Sequence, residues 1–589
     1  MDEKMTPRVF PNIGSETHTG YQRDMSQESA DTERKPTNLD SRLHQIFFDL
    51  TDHEISRVSE FAEEKTFEDG ALLLETGVAA PGMFVIVSGT VRLSHRDGLG
   101  NRSNLSDLFE RQFIAETSTL SGMPSLVDGT AVGQVSALLV RPERLRAMIV
   151  AEADFGERLM RSMILRRARL IEKTSGPILV GDADDVSIVR LQEFLRRNGC
   201  PHSTIDTRGG SEAKEMLAGL QNSNVELPAV IFPDGSVLGN PSEVEIATRL
   251  GLASDIVSAK PYDVMVVGAG PAGLATAVYA ASEGLSVVVV DSRAPGGQAG
   301  ASARIENYLG FPTGISGHAL ARRAYVQAQK FGTRFSIPLG AQALRCDSNP
   351  VEVQLADGVA VGARTVVIAS GAAYRRPNIP HLEKFEGKGI YYWASPVEAR
   401  LCTDSEVVLV GGGNSAGQAI VFLASHAKHV HVLIRRDGLE ATMSKYLIDR
   451  ISGLRNVTVH SRTEIESLEG EAGVLTSVMC RTNTEPLRLP VRHLFLFTGA
   501  IPNTEWLSGC GVMTDAGGFV ITGRQPTDHG KYIPASLETT VPGVFAIGDV
   551  RSESTKRVAA AVGEGAQVVA QIHRYLSSHP EQLIEQASI

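Results

Sequence analysis

Tyr262-Asp263-Val264-Met265-Val266-Val267-Gly268-Ala269-Gly270-Pro271-Ala272-Gly273 is the stretch on which the fold turns. An apolar strand runs into glycines spaced G-x-G-x-x-G and then into an alanine-rich helix. Gly268 makes the turn, Gly270 lets the backbone approach a pyrophosphate, and Gly273 lets helix pack on strand, with the helix N-terminus facing the anion. The strand after that helix, Ser286 to Val290, ends at Asp291, where a carboxylate accepts ribose hydroxyl protons. Gly268, Gly270, Pro271, Ala272, Gly273 and Asp291 are therefore expected to hold a dinucleotide.

A second copy follows. Ser405 to Val410 reads as strand, and Gly411-Gly412-Gly413-Asn414-Ser415-Ala416 as its turn, with Ala416 at the small third position. The next strand, His429 to Ile434, ends in Arg435-Arg436 instead of an acid. A carboxylate would repel a 2′-phosphate and a guanidinium grips one bidentately, so the first site reads as FAD and the second as NADPH. If the two arginines are only surface charges, NADH is the donor. Gly411, Gly413, Asn414, Ser415, Ala416, Arg435 and Arg436 form the expected second site.

Further segments occur in order: Gly296-Gly297-Gln298, Ile305-Glu306-Asn307-Tyr308, Ile368-Ala369-Ser370-Gly371, Phe497-Thr498-Gly499-Ala500 and Gly543-Val544-Phe545-Ala546-Ile547-Gly548-Asp549. Together with the two turns they make the region from about Tyr262 to Leu576 resemble the low-molecular-weight thioredoxin reductases. That resemblance implies an FAD-binding domain over 257–379 and 498–580, with an NADPH-binding domain, 380–497, inserted between crossovers at Gly371 and Gly499. It also implies that Gly297, Gln298 and Asn307 lie near the flavin. Gly548 and Asp549 would reach the ribityl chain, and a helix opening at Lys556-Arg557-Val558 would point its positive end at the flavin edge where charge develops on reduction. Arg557 stands where the family usually has glutamine. A homodimer is the family's habit.

One departure matters most. Thioredoxin reductases carry C-x-x-C and an acid before the second turn, and this chain reads Tyr392-Trp393-Ala394-Ser395-Pro396-Val397 there. Trp393 and Pro396 take the cysteine positions, so the ordinary dithiol relay cannot operate. Cys402 is a weak candidate for a single redox thiol, against a packed small apolar residue. Three functions stay open: an NADPH-dependent flavoprotein reductase passing electrons to a protein or small acceptor, an atypical disulfide reductase using Cys402 or a partner's dithiol, and a ligand- or redox-sensing flavoprotein.

The remaining chain is modular. Residues 1–43 have the composition of a disordered tail. In 44–173, short strands with glycine turns predict a β-roll. Its run from Phe84 to Val91 resembles the cyclic-nucleotide-binding domains, and a helix from about Glu152 to Glu172 is expected to connect and dimerise. The family's phosphate cassette is incomplete: Glu116 is kept, Ala115 replaces glycine, and Asp128 falls near the arginine position. A structural or ligand-altered roll and a cyclic-nucleotide site both remain readings of it. Residues 174–256 resemble the thioredoxin and glutaredoxin fold, with Pro228 in the place of that family's cis proline. Gly181-Asp182-Ala183-Asp184-Asp185 stands where the reactive cysteines would be, which predicts a docking or structural module. The whole arrangement resembles bacterial fusions of a cyclic-nucleotide-binding domain with a thioredoxin-reductase-like part.

A formal net charge of −11 argues against nucleic acid as a partner. The apolar runs are strand-sized, too short to span a membrane, and no apolar signal core follows Met1, so a cytoplasmic protein is expected. The five cysteines, Cys200, Cys346, Cys402, Cys480 and Cys510, lie far apart in sequence without a C-x-x-C pair, which predicts neither a metal site nor a disulfide scaffold.

Overall fold

The computed structural model describes residues 46–580, less 97–101, 123, 174–175, 184, 210–216, 218–224, 234, 253–255, 303, 387–388, 395, 472–473, 484 and 524–533. The tail predicted over 1–43 lies outside the described residues.

The roll opens with α1 (Asp52–Ser59), β1 (Glu63–Phe67), β2 (Leu72–Leu74), β3 (Met83–Arg96), β4 (Arg102–Leu108) and β5 (Phe113–Ile114). It continues with α2 (Glu116–Ser121), β6 (Asp128–Val140), α3 (Pro142–Ala151) and α4 (Ala153–Lys173). The strands form one antiparallel sheet ordered β1-β6-β3-β4, with β2 on β6 and β5 on β3. Strand side chains alternate between faces. Phe84 and Ile86 therefore fill the roll interior, while Met83 and Val85 meet the helices. Phe155, Leu159 and Met163 of α4 are spent on that second cluster, which leaves them unavailable to a dimer partner. The side chains of Leu170 and Ile171 lie outside the described residues.

Next come β7 (Ile178–Gly181), α5 (Val186–Arg197), β8 (Ser203–Asp206), β9 (Ala229–Ile231), β10 (Val237–Gly239) and α6 (Glu243–Arg249). The sheet order is β10-β9-β7-β8, with β7 parallel to β8 and antiparallel to β9. The Leu227–Pro228 bond is cis. Asp185 caps α5 by accepting from the Ser187 N–H at 2.7 Å, so the segment that could have carried cysteines serves as a helix start.

The largest sheet begins with β11 (Tyr262–Val267), α7 (Pro271–Ser282), β12 (Val287–Val290), α8 (Gly297–Ala301), α9 (Gly317–Lys330) and β13 (Arg334–Ser336). β14 (Ala341–Arg345), β15 (Val351–Leu355), β16 (Ala360–Ile368) and β17 (Ala372–Tyr374) follow. The order is β13-β12-β11-β16-β15-β14. β11, β12, β13 and the end of β16 run parallel and are buried on both sides, which explains the unbroken valines at 287–290.

The chain then leaves to build β18 (Ile390–Tyr391), α10 (Pro396–Leu401), β19 (Glu406–Val410), α11 (Asn414–Ala424), β20 (His429–Leu433), α12 (Lys445–Ser452) and β21 (Val457–His460). β22 (Glu464–Glu471), β23 (Val474–Arg481), β24 (Leu487–Leu489) and β25 (His493–Leu496) complete this part, with a parallel sheet ordered β18-β25-β19-β20-β21 and an antiparallel β22-β23-β24 meander. It returns through β26 (Ala500–Pro502), which pairs antiparallel with β17, so outgoing and returning segments cross as one two-stranded ribbon. β27 (Val544–Ala546) then completes the large sheet against β16, and α13 (Val558–Ser578) covers it. No helix among the described residues is long and apolar enough to cross a membrane.

Candidate functional site

The first glycine turn is set by backbone sterics. Gly268 sits at φ +113°, where a Cβ would lie 2.2 Å from the Ala369 carbonyl oxygen, and a Cβ on Gly273 would lie 1.9 Å from the Gly268 oxygen. Gly270 caps α7 without a side-chain hydrogen bond, so the first N–H groups of the helix have no capping partner. A Cβ there would lie 4.0 Å from the Gly297 Cα and one on Gly297 would lie 3.1 Å from the Gly270 Cα, so the two glycine backbones meet closely with no side chain over the start of the helix. Pro271 opens the helix, and Ala272 is buried beneath the turn. Asp291 closes the cradle. One of its oxygens accepts from the Ala269 N–H at 2.8 Å, and the other from Arg293 N–H at 2.9 Å and Ala294 N–H at 3.2 Å. A carboxylate has about four acceptor sites, so capacity for a hydroxyl proton remains.

Across from it, β27 runs into Gly548-Asp549. Asp549 is half-buried; burial raises its pKa, Lys556 opposes that, and Glu564 adds to it. Its side chain accepts no hydrogen bond among the described residues, whereas its backbone oxygen receives the Lys556 Nζ at 2.5 Å. The Lys556 ammonium also lies 4.4 Å from the centre of the Phe519 ring, and burial lowers its pKa. Arg557 is the exposed N-cap of α13 and gives no side-chain cap, and Val558 opens the helix. Two residues that the sequence did not flag hold this corner: Glu564 accepts from the Gly548 N–H at 2.6 Å and from Arg551 at 2.5 Å. The helix is seated by Gly565, where a Cβ would come within 2.5 Å of the Ala272 oxygen. Gln298, exposed on α8, donates to the Ala372 oxygen of the crossover strand, and Asn307 is exposed on the loop after it. A helix start without a side-chain cap and a half-buried carboxylate that accepts no hydrogen bond among the described residues fit a flavin dinucleotide.

The second turn repeats the device. Gly411 has φ +147°, and a Cβ would lie 2.7 Å from the Phe497 oxygen. Gly413 caps α11 without a side-chain bond, and nothing lies within 4 Å of where its Cβ would be. Asn414 is turned inward, its Oδ1 accepting from the Ser444 N–H at 2.7 Å, while Ser415 is exposed and Ala416 buried. Arg435 and Arg436 stand exposed just past β20. They line an open cavity of about 830 Å³ with Arg462, Arg481 and Asn483, among others. Asp437 and Glu464, in the same wall, pair with Arg462 and Arg481. A basic basin beside an uncapped helix end fits a phosphorylated nicotinamide dinucleotide.

Where the thioredoxin reductases carry cysteines, the indole N–H of half-buried Trp393 donates to Glu398 at 2.9 Å, and Glu398 is buried in α10, which Pro396 opens. Tyr392 donates to Glu386 at 2.5 Å, and Arg376 pairs with the same carboxylate. Cys402 fits the packed apolar reading of its two alternatives. It is 0% exposed in an apolar cluster, and burial, with Glu398 adding to it, pushes its thiol up to about 12. A buried neutral thiol is neither nucleophile nor relay. Far apart in sequence, Cys346 and Cys510 nevertheless come together in the fold and shift each other's acidity, while all five cysteines are free.

A further contact had no sequence signal. At the C-terminal end of α5, Arg197 donates to the Gly297 oxygen at 2.7 Å and Asn198 to the Arg293 oxygen at 3.1 Å, while Arg293 pairs with Glu243 of α6. The thioredoxin-like module thus braces the loop between Asp291 and Gly297. In the roll, Ala115 adopts φ +69° at the start of α2. Asp128 is buried and accepts from the Thr76 N–H at 2.8 Å and from Arg102 at 3.1 Å, a structural tie at the place where the sequence put an anion-repelling charge.

The family model described as pyridine nucleotide-disulphide oxidoreductase matches residues 262–565, and the one described as cyclic nucleotide-binding domain matches 64–152. The NADPH-dependent thioredoxin reductase 3 of Arabidopsis thaliana is 33% identical over 54% of this chain and 59% of its own length. A thioredoxin reductase of Mycoplasmopsis pulmonis is 31% identical over 52% of this chain and 94% of its own. The F component of an alkyl hydroperoxide reductase from Staphylococcus aureus is 28% identical over 67% of this chain and 74% of its own. Residues from 262 to the C-terminus cannot supply a match of that length, so it reaches into the thioredoxin-like module.

Proposed function

Since the chain belongs to the pyridine nucleotide-disulphide oxidoreductase family, we propose that it takes hydride from NADPH onto FAD and passes the electrons to an acceptor without a thiol relay of its own at the family's place. The observation that carries the reading is the pair of uncapped helix N-termini, one beside an acid and one beside an arginine basin.

When bound, the flavin would supply the two-electron chemistry. The residues would supply binding, orientation and charge. Gly268, Gly270, Gly273 and the first N–H groups of α7 hold a pyrophosphate, and Asp291 takes a ribose hydroxyl. Asp549 takes a hydroxyl of the ribityl chain, which gives its half-buried carboxylate the hydrogen bond it lacks. The N-terminus of α13, with Arg557, faces the edge where negative charge develops. Arg435 and Arg436 grip a 2′-phosphate. Trp393, fixed by Glu398, takes up a cysteine position with an apolar ring that carries no electrons to a disulfide. A homodimer in the cytoplasm and a roll that is structural or takes an altered ligand belong to the same reading; Ala115 and the buried Asp128 support the latter.

The test is anaerobic. Protein pre-reduced with dithiothreitol and desalted is expected to bleach its flavin absorbance on NADPH addition with no change in free-thiol count. It is then expected to be reoxidised by a quinone, ferredoxin or oxygen. A preparation that neither carries nor takes up flavin would overturn the proposal. Turnover with a partner disulfide alone would shift it to the disulfide-reductase alternative, and no turnover with any acceptor to the sensor.

A further inference from the structure

Cys346 follows β14, and Cys510 follows the short turn Glu505–Leu507 on the returning chain. β14 packs on that turn, and both cysteines rest half-buried against one apolar cluster together with Trp506, Val512 and Val541. The thiols are free, and each acts on the other's acidity. When protonated, the Cys510 S–H donates to the Leu507 oxygen at 3.0 Å. As a thiolate, its sulfur has donors around it: the Cys346 S–H and the N–H groups of Val512 and of Cys510 itself.

We infer that Cys346 and Cys510 form a dithiol site, separate from both nucleotide turns, that a low-molecular-weight disulfide oxidises to an intramolecular disulfide. Cys510 is the attacking sulfur. Its thiolate adds to one sulfur of the external disulfide, the S–S bond breaks, and the leaving thiolate takes a proton from solvent. Cys346 then loses its proton and attacks Cys510 in the mixed disulfide, releasing the second thiol. Two protein thiols and one disulfide become one protein disulfide and two thiols, so electrons and protons balance.

The hydrogen bond from Cys346 brings Cys510 down to about 7 against burial, and the same contact, with burial and Asp347, pushes Cys346 up. The other three cysteines are buried, and burial pushes Cys402 and Cys480 up to about 12 and about 11. Reactivity is thereby confined to one pair. The bond it forms would enclose the whole inserted part, from β18 to β25, in a covalent loop.

The full-length, pre-reduced flavoprotein is incubated with glutathione disulfide, quenched with an alkylating agent and mapped by mass spectrometry. The expected product is a Cys346–Cys510 cross-linked peptide, two hydrogens lighter than the dithiol pair, with Cys200, Cys402 and Cys480 unmodified. In a parallel titration, iodoacetamide is expected to modify Cys510 with a pH midpoint near 7. In Cys346→Ser the midpoint should move up toward the ordinary thiol value of about 8.5, and the rate at pH 7 should fall about threefold, lower thiolate fraction outweighing higher nucleophilicity. Stable glutathionylation of Cys510 without the cross-link would overturn the proposal. So would a wild-type midpoint at or above the ordinary value, which needs no variant to fold.

Discussion

Arg435 and Arg436 are exposed, and an exposed guanidinium contributes little to stability. Against a phosphate it contributes more, about 1.5 kcal/mol or more for a charge-assisted hydrogen bond. The double variant Arg435→Ala/Arg436→Ala is therefore expected to raise KM for NADPH roughly tenfold to a hundredfold and to leave KM for NADH within about twofold; steady-state kinetics with both donors checks it, and equal losses would remove the 2′-phosphate assignment. Ala115 gives a second residue-scale prediction. A left-handed alanine costs about 1 kcal/mol that glycine does not pay. Ala115→Gly should raise the thermal midpoint of the roll's transition, measured in the whole protein by calorimetry. These residues were legible because their meaning is local: an arginine at a strand end or an alanine in a glycine position can be read from a few neighbours. Cys402 was the opposite case, since position in the chain says nothing of how deeply a thiol is packed.

Among elements, the strands and helices around both turns were readable from apolar runs and glycine spacing, and β11, α7, β12, β19, α11 and β20 stand where those patterns put them. What joins elements was not. Arg197 reaches Gly297 across a hundred residues of sequence, and Glu564 reaches back to Gly548 from the second turn of α13. Neither pair leaves a periodic trace. The α5 contact has a consequence for the cofactor, because the loop it braces carries Asp291 at one end and Gly297 at the other. Arg197→Ala is expected to weaken FAD retention about tenfold, or about 1.4 kcal/mol, measured as the dissociation constant of FAD for the reconstituted protein. Unchanged retention would mean that the loop holds its shape alone.

For the whole molecule, the order of parts followed from composition and motif spacing, while their mutual packing is visible only in three dimensions. His318 lies at one such junction, near Arg196 and Arg197 of the thioredoxin-like module and Arg322 of its own helix. Burial first, then Arg196, Arg322 and Arg197, hold its imidazole down to about 4, with the Arg196 backbone opposing them. The unfolded imidazole takes up a proton near pH 6.5 and the folded one only near 4. Stability from this group is thus complete above pH 6.5 and lost as pH falls toward 4. His493, also held at about 4 by burial and by Arg492, adds a similar slope. In His318→Asn, the fall of the thermal midpoint between pH 6.5 and 5 should shrink, while His493, His202, His431 and His460, all lowered first by burial, keep the rest of it. An unchanged slope would place the proton uptake elsewhere.

The β17–β26 ribbon also bears on the order of events on the ribosome. β16 cannot gain its β27 neighbour until everything from Ala372 to Val544 has been translated, which at about 5–20 residues per second is a wait on the order of ten seconds or more. The inserted part emerges complete within that interval and has its own sheet. Because α13 is synthesised after β27, a nascent chain released before both would expose an open edge on β16 and the apolar faces of the large sheet that the helix covers.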